Sequence, residues 1–461
     1  MYLELENQYT KKLKITLQFK IVLFLLICLI YSLIYNVNYK SKYSDEKVIY
    51  GYVINYYVDI DKTIIYLKGK EKIICNYYGK LDVNLGDYIM LEGTLELPNE
   101  NTIFNLFNYR KYLKYEHINY IFNVVNITKI KDNDNLLYKI KNNIIKRIDK
   151  SENKEYLHTF ILGNTKYIDD SVIESYRTNG ISHLFAISGM HISLFSLLIL
   201  KIFKKYKYKD ILVLLIILFY MFLTFSPSIL RAGILFILLF IKKEFKLNIN
   251  NTNLMIILLG ICILFDPFII YKIGFQYSYI VSFSLIIFND TINRQNKEIK
   301  KLLYISLISF IVSFPITINN FYQVNFLSIL LNILFVPFVS IILFPLTLIS
   351  FIIPINIQLI INIFEYISLS LSKINLFIVI FPKINIVFVL IYYLIIFYTL
   401  YNINKKDYKK IIILIILILL HKFSPYLNIN TKVIFIDVSQ GDSALISLPN
   451  NKSNVLIDTG G

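Results

Sequence analysis

The sequence predicts an all-α polytopic membrane bundle of about eleven spans, with a small all-β domain outside the membrane and a β-rich carboxyl-terminal stub. Three observations support this fold class. Hydrophobic residues make up 56% of the 461 residues and charged residues only 17%, and the excess apolar side chains must face lipid. Residues 181–421 consist of apolar runs long enough to cross a bilayer. Lysines lie mainly in short loops between these runs, at 201–209, 293–301 and 404–410.

The amino-terminal segment, residues 1–44, is predicted to be a single anchor helix. A basic start precedes an apolar core from Ile21 to Tyr35, which is also the pattern of a secretory signal. The polar sequence YNVNYKSKYS follows this core in place of a small-residue cleavage site. We therefore expect an uncleaved helix that stays in the membrane.

Residues 45–130 are predicted to form a small extracellular β domain. Short β-rich runs such as VIYGYVINYYV, TIIYLKG and KIICNYYG are separated by turn signals, at the spacing of a small barrel or sandwich. A five-stranded OB-like barrel fits this pattern best. The next segment, residues 131–180, is polar, and we expect it to be a helical linker to the membrane bundle.

The β domain combines aromatic side chains with cations, which is the mixture that binders of single-stranded nucleic acid use. The candidate DNA-binding residues are Tyr56, Tyr57, Lys68, Lys70, Tyr77 and Tyr78. Because the whole chain contains 37 tyrosines, a compositional bias would explain the same abundance. Both interpretations stay open at this point.

Residues 181–425 are predicted to form the transmembrane domain. With the anchor helix included, the predicted spans are 20–36, 183–203, 211–225, 229–241, 254–271, 275–289, 302–318, 326–340, 341–353, 384–401 and 410–421. If the amino terminus is inside, the β domain and the carboxyl end lie outside and the lysine-rich loops inside, as the positive-inside rule requires. Residues 357–374 carry a polar stripe at helical spacing, which favours an interfacial or pore-side helix.

A block of small and polar residues surrounds the start of the second predicted span. His183 and His191 would lie about 12 Å apart along a continuous helix, too far to share a zinc ion. A break at Ser188 and Gly189 would bring them onto one face of a lumen. Ionisable groups at membrane depth usually face an interior path, so we interpret this block, with Gly180, as lining or gating a conduit. Hydrogen bonding within the bundle is the alternative.

Two further polar residues lie close to predicted span entries. In the sequence FSPSILRA, Ser226 is placed to cap a helix and Pro227 to be its first residue, which puts Arg231 about one turn inside. The guanidinium of Arg231 could bind a passing phosphate bidentately or extend to the lipid headgroups. Gln276 lies just inside another entry and is open to the same two interpretations.

Residues 426–461 are predicted to be the truncated start of a further β-rich domain, because three strands without a covering layer cannot form a stable domain. Asp437, Asp442 and Asp458 lie in this segment, where aspartates typically form turns between strands. No histidine accompanies them, and the three cysteines of the chain are widely separated. We therefore expect no catalytic residue, metal ligand or cofactor in this chain.

Four separated stretches resemble the ComEC family of DNA-internalisation competence proteins. The most specific is FILGNTKYIDDSVIESYRTNGISHLFAISGMHISL (160–194), and the others are FSPSILRA (225–232), DPFIIYKIGFQYSY (266–279), and FIDVSQGDSALISLP with LIDTG near the carboxyl end. The last pair is similar to the first strands of the metallo-β-lactamase-like domain that many members carry. Residues 45–130 resemble the family's extracellular OB-like domain.

This resemblance implies a function, a location and partners. It implies a multi-pass channel in the lipid bilayer of the cytoplasmic membrane that moves single-stranded DNA into naturally transformable bacteria. The implied partners are the DNA-receptor and pilus proteins of competence, and a homo-oligomer is compatible with it. Two alternatives stay beside this interpretation: a membrane-tethered metallohydrolase or nuclease whose catalytic domain is cut off in this chain, and a transporter of another substrate on the same fold.

Overall fold

The first helix enters the membrane region. The architecture comes from a computed structural model that describes residues 2–58, 62–79, 83–103, 105–187, 189–206, 208–224, 226–438 and 441–458. Helix α1 (Tyr2–Asn38) contains 21 residues, Gln18–Asn38, that are long and apolar enough to cross a bilayer. Near its end, Leu33 and Ile34 are 56% and 55% exposed, as expected for side chains that face lipid.

Five strands after α1 close into a barrel. They are β1 (Val48–Val58), β2 (Thr63–Lys68), β3 (Lys72–Tyr77), β4 (Tyr88–Glu96) and β5 (Ile121–Lys131). Their order around the barrel is β1-β2-β3-β5-β4, with β3 and β5 parallel and the other pairs antiparallel. Successive residues of a strand point to opposite faces, so Ile49 and Val53 of β1 are buried while Tyr50 and Tyr52 are exposed.

One short helix lies between two barrel strands, and three more connect the barrel to the bundle. Helix α2 (Tyr109–Tyr115) lies between β4 and β5, and its buried Leu113 packs against the outside of the barrel. The linker forms α3 (Leu136–Asp149), α4 (Lys154–Leu162) and α5 (Asp170–Thr178). Side chains of α4 and α5, including Tyr156 and Tyr176, share one large buried cluster with later helices. The linker is therefore helical, and it packs into the helical core.

The remaining helices form the bundle. Up to residue 321 they are α6 (Gly189–Ile202), α7 (Lys209–Thr224), α8 (Pro227–Glu244), α9 (Asn251–Phe265), α10 (Ile273–Ile287), α11 (Asn289–Asn293) and α12 (Glu298–Phe321). Beyond it they are α13 (Ser328–Pro337), α14 (Phe344–Ile352), α15 (Gln358–Ser372), α16 (Ile386–Asn404) and α17 (Ile411–Phe423). The predicted cap of α8 is confirmed, since the Ser226 hydroxyl accepts from the backbone N–H of Ile229 and Pro227 begins the helix.

Five helical stretches of the described residues are long and apolar enough to cross a membrane. Besides Gln18–Asn38 they are Glu298–Phe321, Ser328–Ile352, Ile386–Asn404 and Tyr408–Leu427. This is fewer than the eleven crossings predicted. The reason is length: a crossing needs about 20 residues, whereas α6, α9 and α10 contain 14 or 15.

The two spans predicted at 326–340 and 341–353 are wrong as separate helices. The structure has one uninterrupted stretch of 25 residues, Ser328–Ile352, in which a π-helical segment at Phe338–Leu343 joins α13 to α14. The π-helical turn takes up a change of backbone conformation without ending the helix.

Part of the polar stripe of the next helix, α15, faces protein, whereas Asn362 is exposed. Glu365 accepts a hydrogen bond from the Tyr156 hydroxyl at 2.8 Å, and buried Ser368 lies 2.8 Å from the hydroxyl of Ser175 on α5. The stripe therefore stabilises the packing of α15 against the linker helices.

The ends of several helices meet the barrel side of the molecule. Lys114 donates from Nζ to the backbone oxygen of Asn36 near the end of α1, at 2.9 Å. The Tyr322 hydroxyl after α12 donates to the backbone oxygen of Asn105 at 2.6 Å, and Lys383 before α16 donates to its Oδ1 at 2.7 Å. Two short strands, β6 (Gln323–Asn325) and β7 (Ile378–Ile380), pair antiparallel beside these contacts.

Two of the lysine-rich loops, 293–301 and 404–410, contact each other away from the barrel. The Thr291 hydroxyl donates to Oδ1 of Asn404 at 2.8 Å, and Arg294 donates to the backbone oxygen of Asn404 at 3.0 Å. These bonds join the 293–301 loop to the 404–410 loop. The bundle thus has a barrel side and a basic side.

A small antiparallel sheet follows the last helix. Its strands are β8 (Lys432–Ile436), β9 (Ser443–Ser447) and β10 (Asn454–Ile457), in the order β10-β9-β8. Three strands were predicted here, and Phe435 on the first of them is 84% exposed.

Candidate functional site

The turn after α5 depends on Gly180. Its φ of +71° lies in the left-handed region that favours glycine. A Cβ here would lie 2.7 Å from Cβ of Ser328, the first residue of α13, so no side chain fits without movement. The preceding residue, Asn179, is fully buried and donates to the backbone oxygen of Ser368 at 2.8 Å. The turn thereby fastens α5 to both α13 and α15.

Arg231 on α8 brings three helices together. Its side chain is 5% exposed, and Nε donates to Oγ of Ser278 on α10 at 2.8 Å. A terminal nitrogen of the guanidinium lies 3.1 Å from the position that a Cβ of Gly189 would take. Because Gly189 has no side chain, the guanidinium reaches the first turn of α6. Two of the predicted residues, Gly189 and Arg231, therefore meet.

The charge of this guanidinium has no carboxylate beside it among the described residues. A buried cation held by a hydroxyl alone retains donors for an anion, and phosphate oxygens match the guanidinium fork. Ser278 was not predicted. Its signal was present, since a serine in an apolar run commonly bonds across helices in membrane proteins.

The two histidines of the predicted block lie on different elements. His183 is exposed in a short turn, and its Nδ1 lies 3.2 Å from the backbone oxygen of Gly180. His191 is buried on α6, where its ring packs edge to face against a phenylalanine of α14. Helix α6 begins at Gly189, so the two histidines are not on one continuous helix. Ser188, between them, lies outside the described residues.

Gln276 bonds within its own segment. Its Nε2 donates to the backbone oxygen of Ile270 at 2.8 Å, which stabilises the turn that precedes α10. It lies two residues from Ser278 in the sequence, yet the guanidinium of Arg231 bonds to the serine. The structure thus gives Gln276 a role in the turn.

The candidate DNA-binding residues of the barrel are divided between its inside and its outside. Tyr56 and Tyr77 pack against the buried core of the barrel. Lys70 forms an ion pair with Glu46 at 2.5 Å, and its hydrogen bond lowers the pKa of that carboxyl to about 2. These three side chains are therefore engaged by the protein itself.

The other three candidates lie on the outer wall or at its rim. Tyr57 is half-buried, with its ring 6.3 Å from that of Tyr66, whereas Lys68 and Tyr78 are exposed. Lys68 lies opposite Tyr52 in the register of β2 and β1, and Tyr52 is 53% exposed. Alternation from buried Ile73 and Cys75 would have placed Tyr77 inside. In β1 the register shifts between Val53 and Asn55, so alternation alone would have exchanged Tyr56 and Tyr57.

A network of charges joins the barrel to the bundle, and the sequence did not predict it. Nζ of Lys272 lies 3.1 Å from Oδ2 of Asp266 and 3.1 Å from Oε2 of Glu116. His117 donates from Nε2 to Oδ1 of Asp266 at 2.9 Å. Glu116 and His117 follow α2 on the barrel side, whereas Asp266 and Lys272 lie between α9 and α10. The network therefore fixes this loop of the bundle to the barrel.

Electrostatic balance keeps this network charged. Burial would raise the pKa of Asp266, but the hydrogen bond from His117 and the charge of Lys272 lower it overall. Burial would likewise lower the pKa of Lys272, and the carboxylates of Glu116 and Asp266 raise it. The sequence contained the signal, because Asp266 and Lys272 are opposite charges between two apolar runs, and such charges usually pair.

Comparison with known families matches one continuous part of the chain. The family model described as Competence protein matches residues 160–406, which is more than half of the chain. The chain belongs to the competence protein family. The matched range begins within α4, inside the segment predicted as a linker, and it includes Gly180, Gly189, Arg231 and Ser278.

Two curated relatives are similar over different parts of the chain. ComE operon protein 3 of Bacillus subtilis (strain 168) is 27% identical over 399 residues, which cover 80% of this chain and 51% of that protein. The uncharacterized protein MG316 homolog of Mycoplasma pneumoniae is 31% identical over 185 residues, 40% of this chain and 48% of that protein. The chain thus spans about half the length of the curated relatives it matches. Family membership and the five apolar helices make it a membrane protein of the competence family.

Proposed function

We propose that this chain forms the membrane channel of a DNA uptake protein, which moves single-stranded DNA across the cytoplasmic membrane in natural competence. The observation that carries the proposal is the match of the competence family over residues 160–406. The similarity to ComE operon protein 3 over 80% of the chain supports it. Neither a membrane-tethered hydrolase nor a transporter of another substrate is favoured by these relationships.

In this proposal the barrel and the carboxyl-terminal sheet lie outside the cell, and the basic side of the bundle lies inside. The separation of the helix ends supports this orientation, because the barrel segment contacts one set of ends and two of the lysine-rich loops contact each other at other ends. Lysine-rich loops are retained on the cytoplasmic side. The chain is accordingly a multi-pass protein of the cytoplasmic membrane.

We assign the first contact with DNA to the barrel and treat it as OB-like. Five strands in a closed barrel, with β3 parallel to β5, are compatible with that fold. The exposed pair Tyr52 and Lys68 offers a stacking face and a cation, with Tyr78 at the rim. The strands β8, β9 and β10 are assigned to the start of a metallo-β-lactamase-like domain.

Within the bundle, we assign the contact with the DNA backbone to Arg231. The guanidinium is buried, bonds to Ser278 and occupies the space left by Gly189. These contacts support a fixed cation that can bind an anion. His183 and His191 belong to the same block and line the approach to it. Gly180 shapes the turn on which this block depends.

The proposal is tested by uptake of labelled DNA in a transformable host that carries the full-length gene. We expect a deletion strain to lose uptake of labelled DNA. Uptake by the Arg231→Gln variant should fall at least about tenfold, since a hydrogen bond to a charged group contributes about 1.5–3 kcal/mol. Arg231→Lys should retain part of the activity, because it keeps the charge but loses the bidentate fork.

Arg177→Gln is the matched control, because Arg177 is exposed and, within the described ranges, forms its ion pair with a neighbouring glutamate on its own helix. Membrane abundance of each variant is measured on the same cells. Normal uptake by the deletion strain would reject the proposed function. Normal uptake by Arg231→Gln at normal abundance would reject only the role of Arg231.

A further inference from the structure

A short segment beside the barrel exposes apolar and aromatic side chains. Leu106 and Phe107 precede α2 and are 56% and 65% exposed, and Tyr109 and Tyr112 of α2 are 40% and 47% exposed. The ring of Tyr112 lies 5.5 Å from that of Phe107 and 6.4 Å from that of Tyr109. These four residues, called here the α2 patch, form an exposed surface of three neighbouring rings and one leucine.

Other contacts of the same segment fix its position along the axes of the bundle helices. Lys114 binds the backbone of Asn36, within the last turn of α1. The ring of Tyr115 stacks on that of Tyr271 between α9 and α10, at 4.7 Å. Asn105 accepts from Tyr322, just after α12. The α2 patch therefore lies level with the ends of three helices of the bundle.

We propose that the α2 patch rests in the headgroup region of the outer leaflet and anchors the barrel to the lipid surface. Aromatic side chains are enriched at this depth, because their rings are apolar while their polar groups remain hydrated. Lys111 is exposed between the tyrosines, and such a cation binds lipid phosphates. Val37, one residue after Asn36, is 82% exposed, which continues the lipid-facing surface of α1 up to the patch.

Single-stranded DNA could stack on the same aromatic rings. The observations favour lipid, because the patch is apolar at Leu106 and Phe107 and is held at the helix ends. Arg110, between the two tyrosines, already pairs with Glu100 at 2.6 Å. The inference requires only that the barrel-side helix ends reach the membrane surface, so it does not depend on DNA transport.

The absence of tryptophan from the chain allows a direct test. Phe107→Trp and Leu106→Trp each give the 461-residue chain a single tryptophan, and each variant is reconstituted into lipid nanodiscs with or without brominated acyl chains. Ile34→Trp in α1 is the lipid-exposed reference, and Tyr78→Trp on the barrel is the water-exposed reference. We expect both patch variants to lose a similar fraction of emission to brominated lipid as Ile34→Trp, and Tyr78→Trp to lose almost none.

The opposite result has two forms. If the patch tryptophans are quenched by aqueous iodide like Tyr78→Trp, and added single-stranded oligonucleotide protects them, the surface binds DNA and the proposal is overturned. If iodide quenches them and the oligonucleotide has no effect, the patch faces water and the proposal is equally overturned. Two independent patch positions keep the test valid if one variant does not fold.

Discussion

At the scale of single residues, two glycines decide how closely helices approach. Gly180 combines a left-handed φ with a would-be Cβ contact of 2.7 Å to Ser328. Gly189 leaves the space that the Arg231 guanidinium uses. The first requirement is conformational and steric, whereas the second is purely steric.

Gly180→Ala is expected to destabilise the protein. The left-handed conformation costs alanine about 1 kcal/mol, and relieving the contact with Ser328 costs about 1–3 kcal/mol more. Thermal unfolding of the detergent-solubilised protein should show a lower Tm. Adding Ser328→Gly should recover the part of the Tm decrease that comes from the steric contact. The part that comes from the left-handed conformation should remain.

Gly274→Ala is the control for this experiment, because no atom lies within 4 Å of its would-be Cβ. Gly274 is the second residue of α10, and alanine there should leave Tm unchanged or raise it slightly. Equal Tm values for Gly180→Ala and Gly274→Ala would contradict the steric argument.

At the scale of elements, the connection between α2 and the loop from α9 to α10 depends on charge. Asp266 accepts from His117 and pairs with Lys272, which also pairs with Glu116. Removing one member of such a partly buried network leaves the others without their partner. The attachment of the barrel is therefore sensitive to pH and to single substitutions.

The Asp266→Asn variant should reveal this pH dependence. The pKa of Asp266 is lowered in the folded protein, so its stabilisation is present above the ordinary value of about 3.9 and is lost as pH falls through the lowered pKa. The Tm difference between the natural protein and Asp266→Asn should therefore shrink as the pH falls below about 4.

The exposed pair of Asp132 and Lys129 supplies the comparison for this prediction. Asp132→Asn should change Tm little at any pH, because exposed pairs contribute about 0–1 kcal/mol. A Tm difference for Asp266→Asn that stays constant from neutral to strongly acidic pH would mean that the carboxylate charge does not stabilise the junction.

At the scale of the whole molecule, both ends of Ser328–Ile352 contact the linker. Ser328 lies beside Gly180, and Arg147 of α3 donates to the backbone oxygen of Ile352 at 3.1 Å. The linker begins at the barrel and ends before α6. We therefore expect both ends of Ser328–Ile352 to lie on the barrel side, so that this stretch does not cross the bilayer. Two consecutive crossings are then removed from the prediction, so no later loop changes side.

Cysteine labelling of intact cells tests this arrangement. The native cysteines are all buried, so the background is low. We expect Tyr78→Cys and Ile355→Cys to react with a membrane-impermeant maleimide from outside, and Lys297→Cys and Lys405→Cys to react only after permeabilisation. Labelling of Ile355→Cys only after permeabilisation would show that Ser328–Ile352 crosses the bilayer.

Local patterns in the sequence were sufficient for much of the fold. The alternation in β1 and the turn spacing predicted a small barrel, and Ser226 with Pro227 predicted the start of α8. Positions of the apolar runs predicted where most helices lie. Helix continuity at Ser328–Ile352 could not be predicted in this way, because packing against the linker stabilises a π-helical turn that the local sequence disfavours.

The candidate site was predictable only in part. The cost of a charge at membrane depth identified Arg231 and the block from His183 to His191. Its partner Ser278 is far away in the sequence, and no local pattern specifies which hydroxyl a guanidinium will reach. For the same reason the sequence did not predict that Lys272 would pair with Glu116 of the barrel segment.

The sequence by itself determined the membrane character, the order of the domains and the family, because these depend on composition, period and contiguous motifs. Only the tertiary structure decided which residues meet. It joined Gly189 to Arg231, divided the barrel tyrosines between inside and outside, and fixed α2 at the ends of the helices. Each of these depends on contacts between distant segments, which form only when the whole chain packs.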